Sequence, residues 1–387
     1  MKWLSVPVLA ATAVGALGGA VAVWFVGDRL VPSLSPLPAH RVTPRLMARG
    51  DEVEAWLDRG LLAMANTELA ALNQTETGVD AGGPSAPEPA SLMEERAQLY
   101  RALIWEFGIA ESQLALIRAI FEHSERLGQG NPACTVHPMT REQCRAARAK
   151  GALVANDERI CGAPNMVAIY DPTHAEAARA KVCIDQFEFP NIPCEYPVVW
   201  VRASEAAELC HAMGKRLCDA HEWEGACAGA LRDPSSEYES WDTRLRSELL
   251  HNQHRELVWA TGFKPDGRTC PTGFFKSPGC IEPSWEACGS NTYPSGAFPN
   301  CVSPFGAYDM HGNVAEHMNL PLREDQLGAR GGHGETEMKG SWFGFDSLHP
   351  HPDDCRWRAL AWHATALDSE NSHYNYHLGF RCCRDLD

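Results

Sequence analysis

The chain has 387 residues, 44% hydrophobic and 22% charged, a globular composition with room for one large domain plus a smaller one, or two to three ordinary ones. Acids outnumber Lys and Arg 50 to 34, for a formal charge of -16, and no long basic run occurs, which argues against nucleic acid as a partner. All 15 cysteines lie between Cys134 and Cys383 without a tandem CxxC of zinc type, so disulfides in an oxidising compartment are expected, and the odd count leaves at least one unpaired thiol or an intermolecular bridge.

From Trp3 to Val26 the chain carries no charge. Those residues span about 36 Å as a helix, enough for a hydrocarbon core of about 30 Å. Lys2 precedes the run and Asp28-Arg29 follow it, favouring an N-in anchor over residues 1–29. The alternative is a cleaved signal peptide with GGAVA as its small-residue region, giving a secreted protein. Residues 30–42 read as a Pro-rich tether. Residues 43–130 read as a helical hairpin with a linker at 78–90, GVDAGGPSAPEPA. In its first helix Val53, Trp56, Leu57, Leu61 and Met64 share helical spacing. Its second starts at Ser91, with Glu94 in a capping box, and runs to GQGNP with Leu99, Leu103, Ile104, Phe107, Leu114, Ile117, Ile120 and Phe121 on one face. A spacer between membrane and main domain is the plain reading; a partner-docking helix pair is the sharper one.

A second region, 131–387, begins where Cys, Trp, Gly and Pro rise and long helical runs cease. Ser204 is expected to open a short helix ending at Gly214, and Asp219 another with Glu222 in its capping box. The remainder reads as short strands and long loops. Such loops are costly to order by hydrophobic burial alone, so disulfides and bound cations are expected to supplement it.

Residues 306–319, GAYDMHGNVAEHMN, place Asp309 and Glu316 seven apart with His311 and His317 between and beside them. A metal loop, a catalytic carboxylate pair and a polar turn are all compatible with this pattern. His349, His351, His363, His373 and His377 gather near the C-terminus and offer transition-metal ligands, although a lone loop histidine is more often a hydrogen-bonding residue.

Five motifs then occur in order: PVVWV, GKRL with EWEGAC, FGAYDMHGNVAE, KGSW and GFRCC. Over about residues 157–387 the chain resembles the formylglycine-generating enzyme, or sulfatase-modifying factor, family. The resemblance implies an α+β, irregular, C-type-lectin-like fold with little regular secondary structure. It also implies a structural calcium ion on Asp309 and Glu316 by side chain and on Gly312 and Val314 by carbonyl. Such a mixture of hard oxygen ligands and a turn glycine suits calcium. A second calcium site would fall on Asn252 and Asp266 by side chain, with Gln253 and Arg268 by carbonyl.

The family's chemistry resembles copper–thiolate oxidation of a substrate cysteine, with two cysteines holding the metal. Their positions here are Gly344 and Leu348, and Cys355 aligns with the second only across an insertion. A cleft-wall aromatic is replaced by Ala315, which should widen the cleft. The His-rich helices of the iron-dependent members are also missing, since residues 43–127 contain only His123. By resemblance, Cys210 should pair with Cys382 and Cys227 with Cys355; by proximity, Cys134 with Cys144, Cys270 with Cys280 and Cys288 with Cys301. The expected function is a calcium- and disulfide-stabilised, membrane-tethered binding scaffold outside the cytoplasm, without copper or iron. Its ligand would be a protein, peptide or glycan in the former substrate cleft. The alternative is an oxidoreductase of the same family with a differently built metal site.

Overall fold

Ser91 caps α1 (Leu92–Phe107), its hydroxyl accepting the Glu94 N–H at 3.2 Å. This computed structural model describes residues 88–387 except 152–153, 234–243, 274–283, 321–334, 360–364, 368, 370–371 and 387. The expected anchor, tether and first helix lie outside the described residues. No helix among the described residues is long and apolar enough to cross a membrane. Gly108, at φ 58°, closes α1 in a left-handed turn, and the chain restarts as α2 (Glu111–His123). The single helix expected after Ser91 is therefore two. Their buried Leu99, Leu103, Ile117 and Phe121 share a core with Phe189, Val198, Leu209 and Phe380. The expected boundary at 130/131 thus falls inside one compact unit, Gly82–Asp387. An apolar stripe meets the main domain rather than forming a separate spacer.

Short elements follow: α3 (Arg141–Arg148), α4 (Glu158–Cys161), β1 (Met166–Ile169) and β2 (Val182–Asp185). Next comes α5 (Ala203–Ala212), capped at Arg202, two residues before the expected Ser204. Glu205 reaches back to the Arg202 N–H at 2.7 Å, and Ser204 lies inside the helix. After β3 (Arg216–Leu217), α6 (Ala220–Ala228) begins at Asp219, whose N–H donates to Glu222 at 2.8 Å. The later elements are α7 (Arg244–His254), β4 (Ala315–Leu320), β5 (Glu335–Lys339), α8 (Phe345–Leu348), β6 (Thr365–Ala366), β7 (Leu378–Phe380) and β8 (Cys382–Asp385).

Two four-stranded sheets result. One, in the order β1-β2-β8-β3, is antiparallel; the other, β6-β5-β4-β7, has a parallel pair between β4 and β7. Arg381 is the one residue between β7 and β8, so GFRCC joins the two sheets. Side chains alternate along a strand, and this sends Cys382 and Cys383 to opposite faces. Cys382 enters the core with Cys210, and Cys383 enters a second core with Cys218 and Trp223.

Seven disulfides fasten these loops. Cys210 is bonded to Cys382 and Cys227 to Cys355, across separations of 172 and 128 residues. Each constrains the unfolded chain by roughly 5 kcal/mol in the chain-entropy model, an upper figure when loops nest. Cys218–Cys383, Cys161–Cys183 and Cys144–Cys194 complete the centre. The proximity-based pairs are corrected. Cys134 bonds Cys288, not Cys144, and Cys270 bonds Cys301, so neither Cys280 nor Cys288 takes its expected partner. Chain proximity fails because folding brings loops 134 and 288 together at a Cα separation of 5.5 Å. Cys280 lies outside the described residues.

Candidate functional site: a buried acidic loop and a histidine-lined cavity

The loop leading into β4 turns through left-handed conformations at Asp309, Gly312 and Asn313. Gly312 has no room for a side chain, because a Cβ there would lie 2.5 Å from the Pro271 carbonyl oxygen. Asp309 accepts the Gly296 N–H at 2.5 Å through Oδ2, while its buried Oδ1 has no protein partner. Glu316 is engaged on both oxygens. Arg381 donates to Oε1 and Oε2 at 2.7 Å each, and the Trp223 indole N–H donates at 2.9 Å. A bidentate guanidinium already neutralises this carboxylate.

Glu188 supplies the carboxylate that the motif reading missed. Its Oε2 accepts from Ser295 at 2.5 Å and Asn313 at 3.1 Å, while Oε1 is buried without a partner. Burial, then the like charge of Asp309, holds Glu188 well above the ordinary carboxylate range. Burial pushes Asp309 up to about 6. The orphaned oxygens of Asp309 and Glu188 suit a hard cation; Glu316 does not, being committed to Arg381. The sequence signal was an acid inside the otherwise aromatic run Phe187–Phe189.

In the second expected calcium set, the two side chains have protein partners. Asn252 lies on α7, where its amide donates to the Arg358 carbonyl at 2.8 Å and accepts the Arg358 N–H at 2.9 Å. Asp266 instead closes its own turn, accepting from the Arg268 N–H and the Thr269 hydroxyl. The Asn252 and Asp266 side chains are thus engaged with other protein groups.

His317 is buried, with Nε2 on the Val201 carbonyl at 3.0 Å, and burial lowers it to about 4. Ala315 is fully buried, clustered with Met338 and Leu378, whereas the expectation placed it on an open cleft wall. Gly344 caps the short helix α8, and Leu348 is its last residue. Cys355 is held in its bridge to Cys227, and every cysteine among the described residues is in a disulfide.

A cavity of about 180 Å³ lies beside these positions, lined by residues including Trp259, His311, Phe345, His349, His351 and Asp353. Three stretches of chain build it, 259–272, His311 and 345–353; the sequence marked His311, His349 and His351 separately, and only the fold brings them to one cavity. His311 is the floor: Nε2 accepts the Ala260 N–H at 3.0 Å and lies 3.4 and 3.7 Å from the Cys227 and Cys355 sulfurs. Asp353 accepts the Trp259 indole N–H at 2.9 Å and the Ser341 hydroxyl at 3.3 Å. His351 stacks on Trp357 with centroids 4.2 Å apart.

The sulfatase-modifying factor enzyme 1-like domain model matches residues 147–386, more than half of the chain. No curated protein matches. Among solved structures, the crystal structure of CarF is similar at 14% identity and a TM-score of 0.32, covering 57% of this chain and 98% of that one. By its family match, this chain belongs to the sulfatase-modifying factor family, also called the formylglycine-generating enzyme-like family.

Proposed function

We propose that this protein is a non-catalytic member of its family, an exported and membrane-tethered scaffold that binds a ligand in the histidine-lined cavity. The observation that carries the reading is at the family's copper positions. Gly344 offers no thiolate, and Cys355, the nearest substitute, is committed to Cys227. Soft thiolates are what retain Cu(I), and no such pair is available in the described residues. The uncharged run Trp3–Val26 and the seven disulfides support a tether and an oxidising compartment. A structural calcium is part of the proposal, with Asp309 and Glu188 contributing carboxylates and Gly312 and Val314 carbonyls. Its chemistry there is charge compensation between buried acids.

The test is elemental analysis of the purified ectodomain, prepared without added metal. Calcium alone is expected. Stoichiometric copper or iron would instead favour the second reading, a metal-dependent oxidoreductase built on the cavity histidines. Protease added to intact spheroplasts should digest the ectodomain; full protection would contradict export.

A further inference from the structure

The hydrogen-bond partners of two histidines fix what the cavity presents. The Ala260 N–H points at His311 Nε2, so that nitrogen must accept and Nδ1 carries the proton. Nδ1 is buried and makes no well-formed hydrogen bond; it faces the Asp353 backbone and the Asp353 carboxylate, whose Oδ2 is 3.8 Å away. That gap is too long for a hydrogen bond. His351 is fixed in the same way. Its Nδ1 donates to the Pro352 carbonyl at 2.7 Å, leaving Nε2 as a bare acceptor, also buried and without a partner. The cavity therefore offers one fixed donor at its floor, with acceptors on Asp353 and His351 around it.

Anions are disfavoured, because Asp266, Asp346 and Asp353 line the cavity and, among the described residues, no Lys or Arg does. A transition metal on His311 Nδ1 is disfavoured as well. It would drive the proton to Nε2, donor against donor with Ala260. The group that satisfies both sides of the His311–Asp353 gap must accept from one and donate to the other. A hydroxyl does this, and a second hydroxyl can donate to His351. The volume is many times the roughly 10–15 Å³ that one water needs by the same measure, so one bridging water does not fill it. The rings of Trp259 and Phe345 add apolar surface of the kind that packs against C–H faces.

We infer that the cavity is a binding site for a neutral, hydroxyl-rich ligand of about one sugar unit, either a free sugar or a terminal residue of a glycan. The inference rests on the scaffold reading above and names the ligand class for that site. The test uses the full-length protein. Neutral monosaccharides are titrated calorimetrically, and the same sugars are presented as glycan chains on an array. Binding to free sugars identifies a small-molecule source; binding only to chains identifies a glycan. Asp353→Asn should weaken binding at least tenfold. His351→Phe keeps the ring on Trp357 and removes the acceptor, and it should do the same with an unchanged melting temperature. If Asp353→Asn fails to fold, His351→Phe alone decides. No binding in either format, or binding that His351→Phe leaves intact, overturns the inference, as does capture of a Lys/Arg peptide without any sugar. These outcomes leave the metal analysis untouched, so failure of the ligand class is distinct from failure of the non-catalytic reading.

Discussion

Glu224 and Glu188 are each 0% exposed, but they stand among different neighbours. Glu224 meets Lys339 at 2.9 Å and Arg358 at 2.8 and 3.1 Å, leaving no oxygen unpaired. The nearby cations Arg358 and Lys339 outweigh burial and hold its carboxyl well below the usual range. Glu188 and Asp309 have only dipolar donors within hydrogen-bond distance and keep one orphaned oxygen each. Burial therefore wins at Glu188 and Asp309 and loses at Glu224. The comparison teaches that a buried acid is finished where a cation is built into the chain, and unfinished where a proton or a bound ion must complete it.

The largest effect should come from opening a finished pair. Arg381→Met leaves Glu316 charged and buried, at a cost of roughly 3–5 kcal/mol. Urea unfolding measures this, and a loss below about 1 kcal/mol would mean that Glu316 finds another partner. The unfinished pair should announce itself through pH. Asp309 titrates near 6 in the fold against 3.8 as a free side chain. Between those values the folded state holds a proton that the unfolded chain has released. Stability therefore falls as pH rises from about 4 to 6, by about 3 kcal/mol in the absence of calcium. His317, lowered by burial to about 4, and His137, lowered by burial to about 3, act oppositely, losing stability as pH falls below about 6.5. The difference between wild type and Asp309→Asn in chelator isolates the Asp309 slope; parallel curves would contradict it. A smaller effect is expected from the ion itself. Calcium at about 100 times its dissociation constant adds about 2.7 kcal/mol. Chelator should lower the melting temperature of the wild type and leave Asp309→Asn unmoved. Equal shifts in both would place any calcium elsewhere.

Much of this frame was legible in the sequence, for local reasons. Asp219 and Glu222 cap α6 because capping is set three residues away. The motif order marked Cys210, Cys227, Cys355 and Cys382. What stayed hidden is nonlocal. Arg381 finds Glu316 because β7 lies parallel to β4, a pairing without a sequence signature. The motif drew attention to Glu316 as a calcium ligand, and only the fold brought Arg381 to it. Glu188 comes from a loop more than 100 residues before Asp309, and His351 enters the cavity beyond α8, whose helical turn no periodicity announced.

The central claim is that this member of the family does not oxidise a substrate cysteine. The direct measurement incubates the reduced ectodomain with Cu(I), oxygen and a Cys-x-Pro-x-Arg peptide and follows the aldehyde by mass, with an active family enzyme in the same buffer. No aldehyde above the protein-free control is expected, and Gly344→Cys alone should stay inactive because one thiolate does not replace a pair. Turnover by the wild type would contradict the account.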